Sequence, residues 1–213
     1  MKNYLVVLLV SLGLTACNDN HDEVRNNATQ TLAPNLAQGT YAVSIETDQE
    51  YPMAGKYYSG ADGNKLLTIN NDEDRAEVVM SYDSKAQKWQ TNQDDKNKSI
   101  RFAHTDKISD DKIDIGSLSG NYNLSLADGN TLTLQVDNQG QIQGQGENCS
   151  FTGLISANQI ANTANYQIQK NTCDVLKNNL NGFLVVDEDL SPTNFRLVSS
   201  MTGSQDIWAF ISS

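Results

Sequence analysis

Short runs of alternating apolar and polar residues, separated by glycine, asparagine and aspartate, make up most of the chain after residue 38. Alternation with a period of two places apolar side chains on one face of a β-strand, and such runs are typical of hairpins. Few stretches repeat apolar residues at the spacing of an amphipathic helix. The pattern therefore predicts an all-β fold in which antiparallel meanders form a small barrel or a sandwich.

The carboxyl half of the chain carries the clearest series of strands. We predict strands at residues 120–126, 131–136, 141–145, 150–155, 165–169, 182–186, 194–199 and 206–211. Consecutive strands with short connections favour an up-and-down meander, and closure into a barrel would remove its exposed edges. The predicted core consists of Tyr122, Leu124, Leu132, Leu134, Val136, Ile142, Phe151, Leu154, Tyr166, Ile168, Phe183, Val185, Phe195, Leu197, Ile207 and Phe210.

An internal repeat links this half to the preceding one. GTYAVSI at residues 39–45 parallels GNYNLSL at residues 120–126, and each copy is followed by ADGN and a further alternating run. Asp-Gly between alternating runs is typical of a type I′ hairpin turn. The repeat favours two related β modules, an amino-terminal one at residues 39–115 and a carboxyl-terminal one at residues 116–213.

The first copy differs from the second by an additional segment, residues 47–60, between its strand and its ADGN turn. This segment contains Tyr51, Tyr57 and Tyr58, and Trp89 follows further along the chain. Tyrosine and tryptophan are favoured in partner contacts because they combine apolar area with a hydrogen-bonding group. We interpret these four residues as a candidate binding surface; the alternative is that they are strand residues facing the core.

The first residues, MKNYLVVLLVSLGLTAC, have the basic start, apolar run and small residues of a secretory signal. Leu14-Thr15-Ala16-Cys17 resembles a bacterial lipobox. The resemblance implies a lipoprotein signal peptide at residues 1–16 and acylation of Cys17 with diacylglycerol and palmitate-type chains. Residues 17–38 would then be the acylated cysteine and a flexible tether. We expect a lipid-anchored protein of the periplasm-facing or surface-facing cell envelope, in the outer membrane of a Gram-negative bacterium.

Two cysteines, Cys149 and Cys173, remain once Cys17 is assigned to the lipid. A single pair in an oxidising compartment most simply forms one disulfide bond. The runs GENCSFTGLIS, NYQIQ and LNGFLVV around these cysteines resemble small disulfide-bearing β domains of uncharacterised lipoproteins of Gram-negative bacteria. That resemblance implies a fold and a location, and no activity.

The formal net charge of −11 bears on the choice of partner. Nucleic acids and anionic lipid surfaces bind concentrated lysine and arginine, so we expect no nucleic-acid partner. Contact with the membrane is expected through the lipid at the amino terminus. An envelope or extracellular protein is a candidate partner.

Motifs of common enzymes are missing from the sequence, which has no G-x-S-x-G, H-E-x-x-H or phosphate-binding loop. Asp187, Glu188 and Asp189 are adjacent carboxylates, whereas a glycosidase needs two carboxyls that face each other across a cleft. His104 is interpreted as a surface residue. The acidic loops lack the D-x-[DN]-x-[DN]-G pattern of a calcium site. We therefore predict no catalytic residue, no metal ligand and no cofactor.

The resulting hypothesis is a lipid-anchored envelope protein with a non-catalytic role, which binds a protein, a glycan or a small ligand or supports an envelope assembly. One alternative is an envelope or extracellular hydrolase. A second alternative is a β-barrel carrier of a small ligand, whose inward positions would be small or polar.

Overall fold

The computed structural model of the protein describes residues 35–46, 52–93 and 100–212. Cys17, Tyr51 and the predicted signal peptide lie outside the described residues. The all-β prediction is confirmed, because the regular elements of the described chain are antiparallel strands and short 3-10 turns. The described residues belong to one compact unit. None of their helical segments is long and apolar enough to cross a membrane.

Six strands from the amino-terminal part form one antiparallel sheet. They are β1 (Gly39–Ile45), β2 (Met53–Ser59), β3 (Lys65–Asn70), β4 (Ala76–Asp83), β5 (Lys88–Thr91) and β6 (Phe102–Ser109). Their order across the sheet is β5-β4-β3-β2-β1-β6, which leaves β5 and β6 at the edges. The residues just before β1 lie against this sheet, since Ser59 Oγ donates a hydrogen bond to Leu36 O.

Eight further strands form a closed antiparallel barrel, and the predicted meander is confirmed. The strands are β7 (Gly120–Leu126), β8 (Thr131–Val136), β9 (Gln141–Gln145), β10 (Ser150–Ala157), β11 (Thr163–Asn171), β12 (Asn181–Val185), β13 (Phe195–Val198) and β14 (Ile207–Ile211). Each strand pairs with the next, and β14 pairs with β7 to close the ring. The 3-10 turns are Ile115–Leu118, Asp174–Leu176 and Glu188–Leu190.

Large apolar side chains fill the inside of the barrel. Alternate strand positions point inwards, and those positions carry most of the predicted core residues. Tyr122 and Phe195 meet edge to face there, with ring centroids 4.8 Å apart. Val185 and Phe183 were also predicted to belong to this core, but they belong to a cluster between the barrel and the sheet. Leu154 and Phe210 were predicted to belong to it as well, but they point outwards and are half-buried.

The sheet covers part of the outer surface of the barrel. On the sheet side, Tyr58, Leu66 and Val79 are buried in the shared cluster, and Val185 and Val198 are buried on the barrel side. The alternation along β13 explains this arrangement: Phe195 and Leu197 point into the barrel, so Arg196 and Val198, which alternate with them, point out. Val185 and Val198 are therefore apolar although they lie outside the barrel.

The opposite face of the sheet has an apolar cluster of its own. Tyr41, Val43, Ile45, Tyr57, Leu67, Ile69 and Met80 form it, and Trp89 and Phe102 pack against it. The rings of Tyr57 and Phe102 meet edge to face at 5.4 Å. Central strands of this sheet are consequently buried on both faces, which hides the alternation that a one-sided strand would show.

The repeated ADGN sequences form the same hairpin turn twice. Gly63 has a φ of 80° and Gly129 a φ of 85°; the Gly63 amide donates to Gly60 O and the Gly129 amide to Leu126 O. A type I′ turn needs positive φ at two consecutive residues, and in these two turns only the glycine has it. The predicted turn type is therefore wrong: these are three-residue loops with glycine in the left-handed position.

Residues 47–60 are not an insertion into a shared hairpin plan, because they contain the whole of β2. This strand pairs with β1 on one side and with β3 on the other. The first ADGN turn consequently joins β2 to β3, whereas the second joins β7 to β8. Both copies therefore contain the strand and the turn, but in the first copy β2 lies between them. The division into two related modules stays a prediction.

The disulfide bond between Cys149 and Cys173 is present. It joins the start of β10 to the segment after β11, across a sequence separation of 24 residues. Cys173 is buried and packs in the barrel core. The disulfide therefore fastens the end of this hairpin to the core.

Candidate functional site

The predicted aromatic surface is corrected by the structure. Tyr57 is 0% exposed and Tyr58 is 1% exposed, because β2 is a central strand and its side chains alternate between two covered faces. Trp89 lies on the edge strand β5, where its half-buried ring packs 5.2 Å from that of Tyr82. Tyr51 lies outside the described residues. For Tyr57 and Tyr58 the alternative holds: they are core residues and cannot contact a partner.

A cleft of about 230 Å³ lies between β2 and the turn Glu188–Leu190. Lys56 Nζ lies 3.2 Å from Asp187 Oδ1 in this cleft and also pairs with Asp189. The side chains of Lys56 and Asp187 are 11% and 5% exposed, whereas that of Asp189 is 77% exposed. Asp187 Oδ2 is buried and has no hydrogen-bond partner within the described chain.

This ion pair accounts for the acidic cluster that the sequence displays. Asp187 Oδ1 also accepts a hydrogen bond from the Asp189 amide, at 3.2 Å, which fixes the start of the 3-10 turn. A buried carboxylate is tolerated when a cation neutralises it. Lys56 and Asp187 therefore fasten the turn to the sheet.

A second buried ion pair lies at the junction of sheet and barrel. Arg196 is 0% exposed and donates to Thr68 Oγ1 and Asn70 Oδ1 on β3, both at 3.0 Å. Asp206 lies 3.8 Å from Arg196; burial raises the pKa of Asp206, and the Arg196 charge opposes that rise. Burial likewise raises the pKa of Tyr58, again against the effect of Arg196. The charges hold the two layers together.

The remaining acidic loops are held by their own turns. In both ADGN turns the aspartate accepts hydrogen bonds from the backbone and side-chain amides of the asparagine two residues later. The backbone amide of Asn130 holds the pKa of Asp128 below its usual range. His104 is exposed and pairs with Asp106 at 2.8 Å. The described residues contain no group of three or more side chains suited to a metal ion.

The exposed outward positions of β7, β8, β9 and β10 share one chemistry. Every exposed outward position on these four strands is asparagine, glutamine, serine or threonine. We call this surface the neutral face; it consists of Asn121, Asn123, Thr131, Thr133, Gln135, Gln141, Gln143, Gln145, Ser150, Thr152 and Ser156. An ionisable side chain is absent from all of these positions, in a chain of which 19% is charged.

The strand register arranges the neutral face in rows that run across the strands. Asn123 pairs with Thr133, which pairs with Gln145. A neighbouring row contains Gln135 and Gln143. Directly paired residues of antiparallel strands point to the same side, and neighbouring strands lie about 4.8 Å apart. The face is therefore a regular array of amides and hydroxyls.

Two adjoining depressions lie on the neutral face. One has a volume of about 560 Å³ and is lined by residues that include Gln135, Gln143 and Thr152. The other has a volume of about 520 Å³ and is lined by residues that include Thr131 and, from the turn after β9, Glu147. Asn123, Thr133 and Gln145 line both, so the two depressions form one shallow groove that crosses the strands.

One signal in the sequence could have identified this face. The polar positions of the runs NYNLSL, TLTLQV, QIQGQ and SFTGLIS contain no lysine, arginine, aspartate or glutamate. Solvated strand faces usually carry charges, so four successive runs without any are informative.

Comparison with known proteins gives no match: no family model, no curated protein and no solved structure is significantly similar to this chain.

Proposed function

We propose that this protein is a lipid-anchored binding protein of the cell envelope, and that the neutral face is its ligand-binding surface. The observation that carries the proposal is the groove across β7–β10, which is lined on these strands by exposed amides and hydroxyls and has one carboxylate, Glu147, in the turn at its edge. Polar groups that are solvent-exposed and regularly spaced can exchange their water for ligand hydrogen bonds.

The anchoring part of the proposal rests on the lipobox-like sequence that ends at Cys17. Two or three acyl chains hold a protein on a bilayer, because each buried methylene contributes about 0.8 kcal/mol. The tether after Cys17 would give the barrel reach to a ligand near the membrane, at most about 3.5 Å for each extended residue.

The arrangement favours binding over the two alternatives. The inside of the barrel is filled by large side chains such as Tyr122, Phe151 and Phe195, whereas a carrier needs small or polar inward positions. The buried carboxylates, Asp187 and Asp206, lie in ion pairs with Lys56 and Arg196. These carboxylates therefore support structure, which gives no positive support to a hydrolase.

Fractionation of cells tests the anchor. The Cys17→Ser variant should move from the membrane fraction to the soluble fraction, and persistent membrane association would contradict lipid anchoring.

The released Cys17→Ser protein then serves to test the binding surface. It should cosediment with detergent-washed envelope fragments of the cells that produce it. Replacing Gln135 and Gln143 together by glutamate should abolish cosedimentation, because the change keeps side-chain size and introduces charge into the groove. Gln169→Glu is the matched control, since Gln169 is exposed on β11 and lines neither depression. Equal cosedimentation of all three proteins would remove the neutral face as the binding surface.

A further inference from the structure

We infer that the ligand of the neutral face is an uncharged polysaccharide, which lies in the groove across strands β7 to β10. This inference rests on the proposed function and adds the chemical class of the ligand. It depends on the hydrogen-bonding character of the face, on its charge, and on the residue at the end of one row.

The side chains of the face match sugar hydroxyls in hydrogen-bonding capacity. Each asparagine or glutamine amide carries both donors and acceptors, and each serine or threonine hydroxyl can do either. A sugar hydroxyl has the same dual character. Asn123, Thr133 and Gln145 form one row and offer such groups on three neighbouring strands, at spacings of about 4.8 Å. A chain of repeated sugar units can therefore meet a repeated set of partners.

The charge of the protein selects against acidic polysaccharides. The neutral face has no lysine or arginine that could pair with a carboxylate or sulfate, and the chain has a net charge of −11. A polyanion would be repelled at long range and would find no counter-ion in the groove. A neutral polymer suffers neither penalty.

Phe210 continues the row of Asn123 on the adjacent strand. It pairs directly with Asn123, so its side chain points outwards on the same side, where it is half-buried. Its ring adds apolar area beside Asn123, which lines the groove. Ligand sites commonly combine such an aromatic surface with a few polar groups that fix orientation, and the C–H face of a sugar ring is a suitable partner for it.

A protein partner fits the face less well. The buried centre of a protein interface is enriched in tyrosine, tryptophan, methionine and arginine. The exposed outward positions of β7 to β10 contain none of these residue types. Burying many amides against a protein would also require a matching hydrogen bond for each, which a flexible polyhydroxyl chain supplies more readily.

Affinity electrophoresis and pull-down with defined polysaccharides test the inference. The probes are cellulose, chitin and soluble amylose as neutral polymers, with polygalacturonate as the anionic one, and the protein is the full chain with Cys17→Ser. We expect binding to at least one neutral polymer and none to polygalacturonate. Replacing both Gln135 and Gln143 by alanine should weaken binding about tenfold or more. Gln169→Ala is the matched control and should bind like the parent protein.

Two outcomes would overturn the inference. The first is binding to polygalacturonate in preference to every neutral polymer. The second is failure to bind all three neutral polymers while cosedimentation with envelope fragments persists and is lost after protease treatment of those fragments. This second outcome would identify a protein ligand and would leave the proposed binding function intact. Failure of the proposed function itself would give a different result: the double variant Gln135→Glu with Gln143→Glu would cosediment as well as its parent.

Discussion

Arg196 and Asp206 of the barrel form a buried ion pair where the barrel meets the sheet, with Nη1 of the arginine 3.8 Å from Oδ2 of the aspartate. The same Oδ2 accepts hydrogen bonds from the Ala76 amide at 2.8 Å and from Trp208 Nε1 at 2.9 Å. Arg196 donates to two side chains of β3. One pair of charges thus joins strands from both parts of the fold.

Removing the carboxylate of this pair should destabilise the protein strongly. Asp206→Ala leaves the Arg196 charge buried without a counter-ion, and we expect the free energy of unfolding to fall by about 3–5 kcal/mol. The double variant Arg196→Met with Asp206→Leu should lose clearly less free energy of unfolding than Asp206→Ala, since neither buried charge remains. Urea unfolding monitored by circular dichroism measures the free energy of unfolding of both variants. A single variant within about 1 kcal/mol of the wild type would contradict the role of the pair.

The stability should depend on pH through Asp206. Burial raises the pKa of its carboxyl above the ordinary value of 3.8. Between that value and the raised native one, the folded protein retains a proton that the unfolded chain has released. Unfolding then releases a proton, so the contribution of Asp206 to stability declines as pH rises through this window. Because asparagine does not titrate, the stability of the wild type relative to Asp206→Asn should fall with rising pH; a constant difference would contradict the raised pKa.

The two carboxylates that pair with Lys56 should differ in importance. Lys56→Met leaves Asp187 buried without its cation, and we expect a loss of about 3 kcal/mol. Asp189→Asn removes the partner whose side chain is 77% exposed, and it should cost less than about 1 kcal/mol. Thermal unfolding of both variants measures the contrast. Equal losses of stability in the two variants would show that the burial of a carboxylate does not decide how much its pairing with Lys56 contributes.

The disulfide should contribute a definite part of the stability. A bond across 24 residues restricts the unfolded chain, and the chain-entropy estimate is about 3 kcal/mol. The double variant Cys149→Ala with Cys173→Ala should lose about this amount. Adding reductant should destabilise the wild type and leave the variant unchanged. If reductant changed both proteins equally, the effect would not come from this bond.

The barrel strands could be predicted from the sequence more accurately than the sheet strands. Strands β7, β8 and β9 are covered on one side only, so their alternation reveals both their extent and their inward face. Strand β2 is buried on both sides, and MAGKYYS shows no alternation. The apolar character of Val185 gave a similar error, because an apolar residue outside a barrel looks the same in sequence when another layer covers it.

The candidate sites depend on contacts that sequence spacing does not reveal. Lys56 and Asp189 are 133 positions apart, so the charge that neutralises the acidic cluster could not be identified before the fold was known. The composition of the neutral face was visible in four runs of sequence. Its exposure was not, because that depends on which side of the barrel the sheet covers.

Arg75 of the sheet contacts the barrel where its first and last strands meet. It lies in the turn between β3 and β4, donates hydrogen bonds to the Ser125 and Asp206 carbonyls, each at 3.2 Å, and stacks 4.1 Å from the Trp208 ring. Ser125 and Trp208 are paired residues of β7 and β14, where the ring of strands closes. During synthesis, β7 has a free edge until β14 emerges. In the folded protein, Arg75 of the earlier-made sheet contacts both strands of this seam, so one side chain links the sheet to the place where the barrel closes.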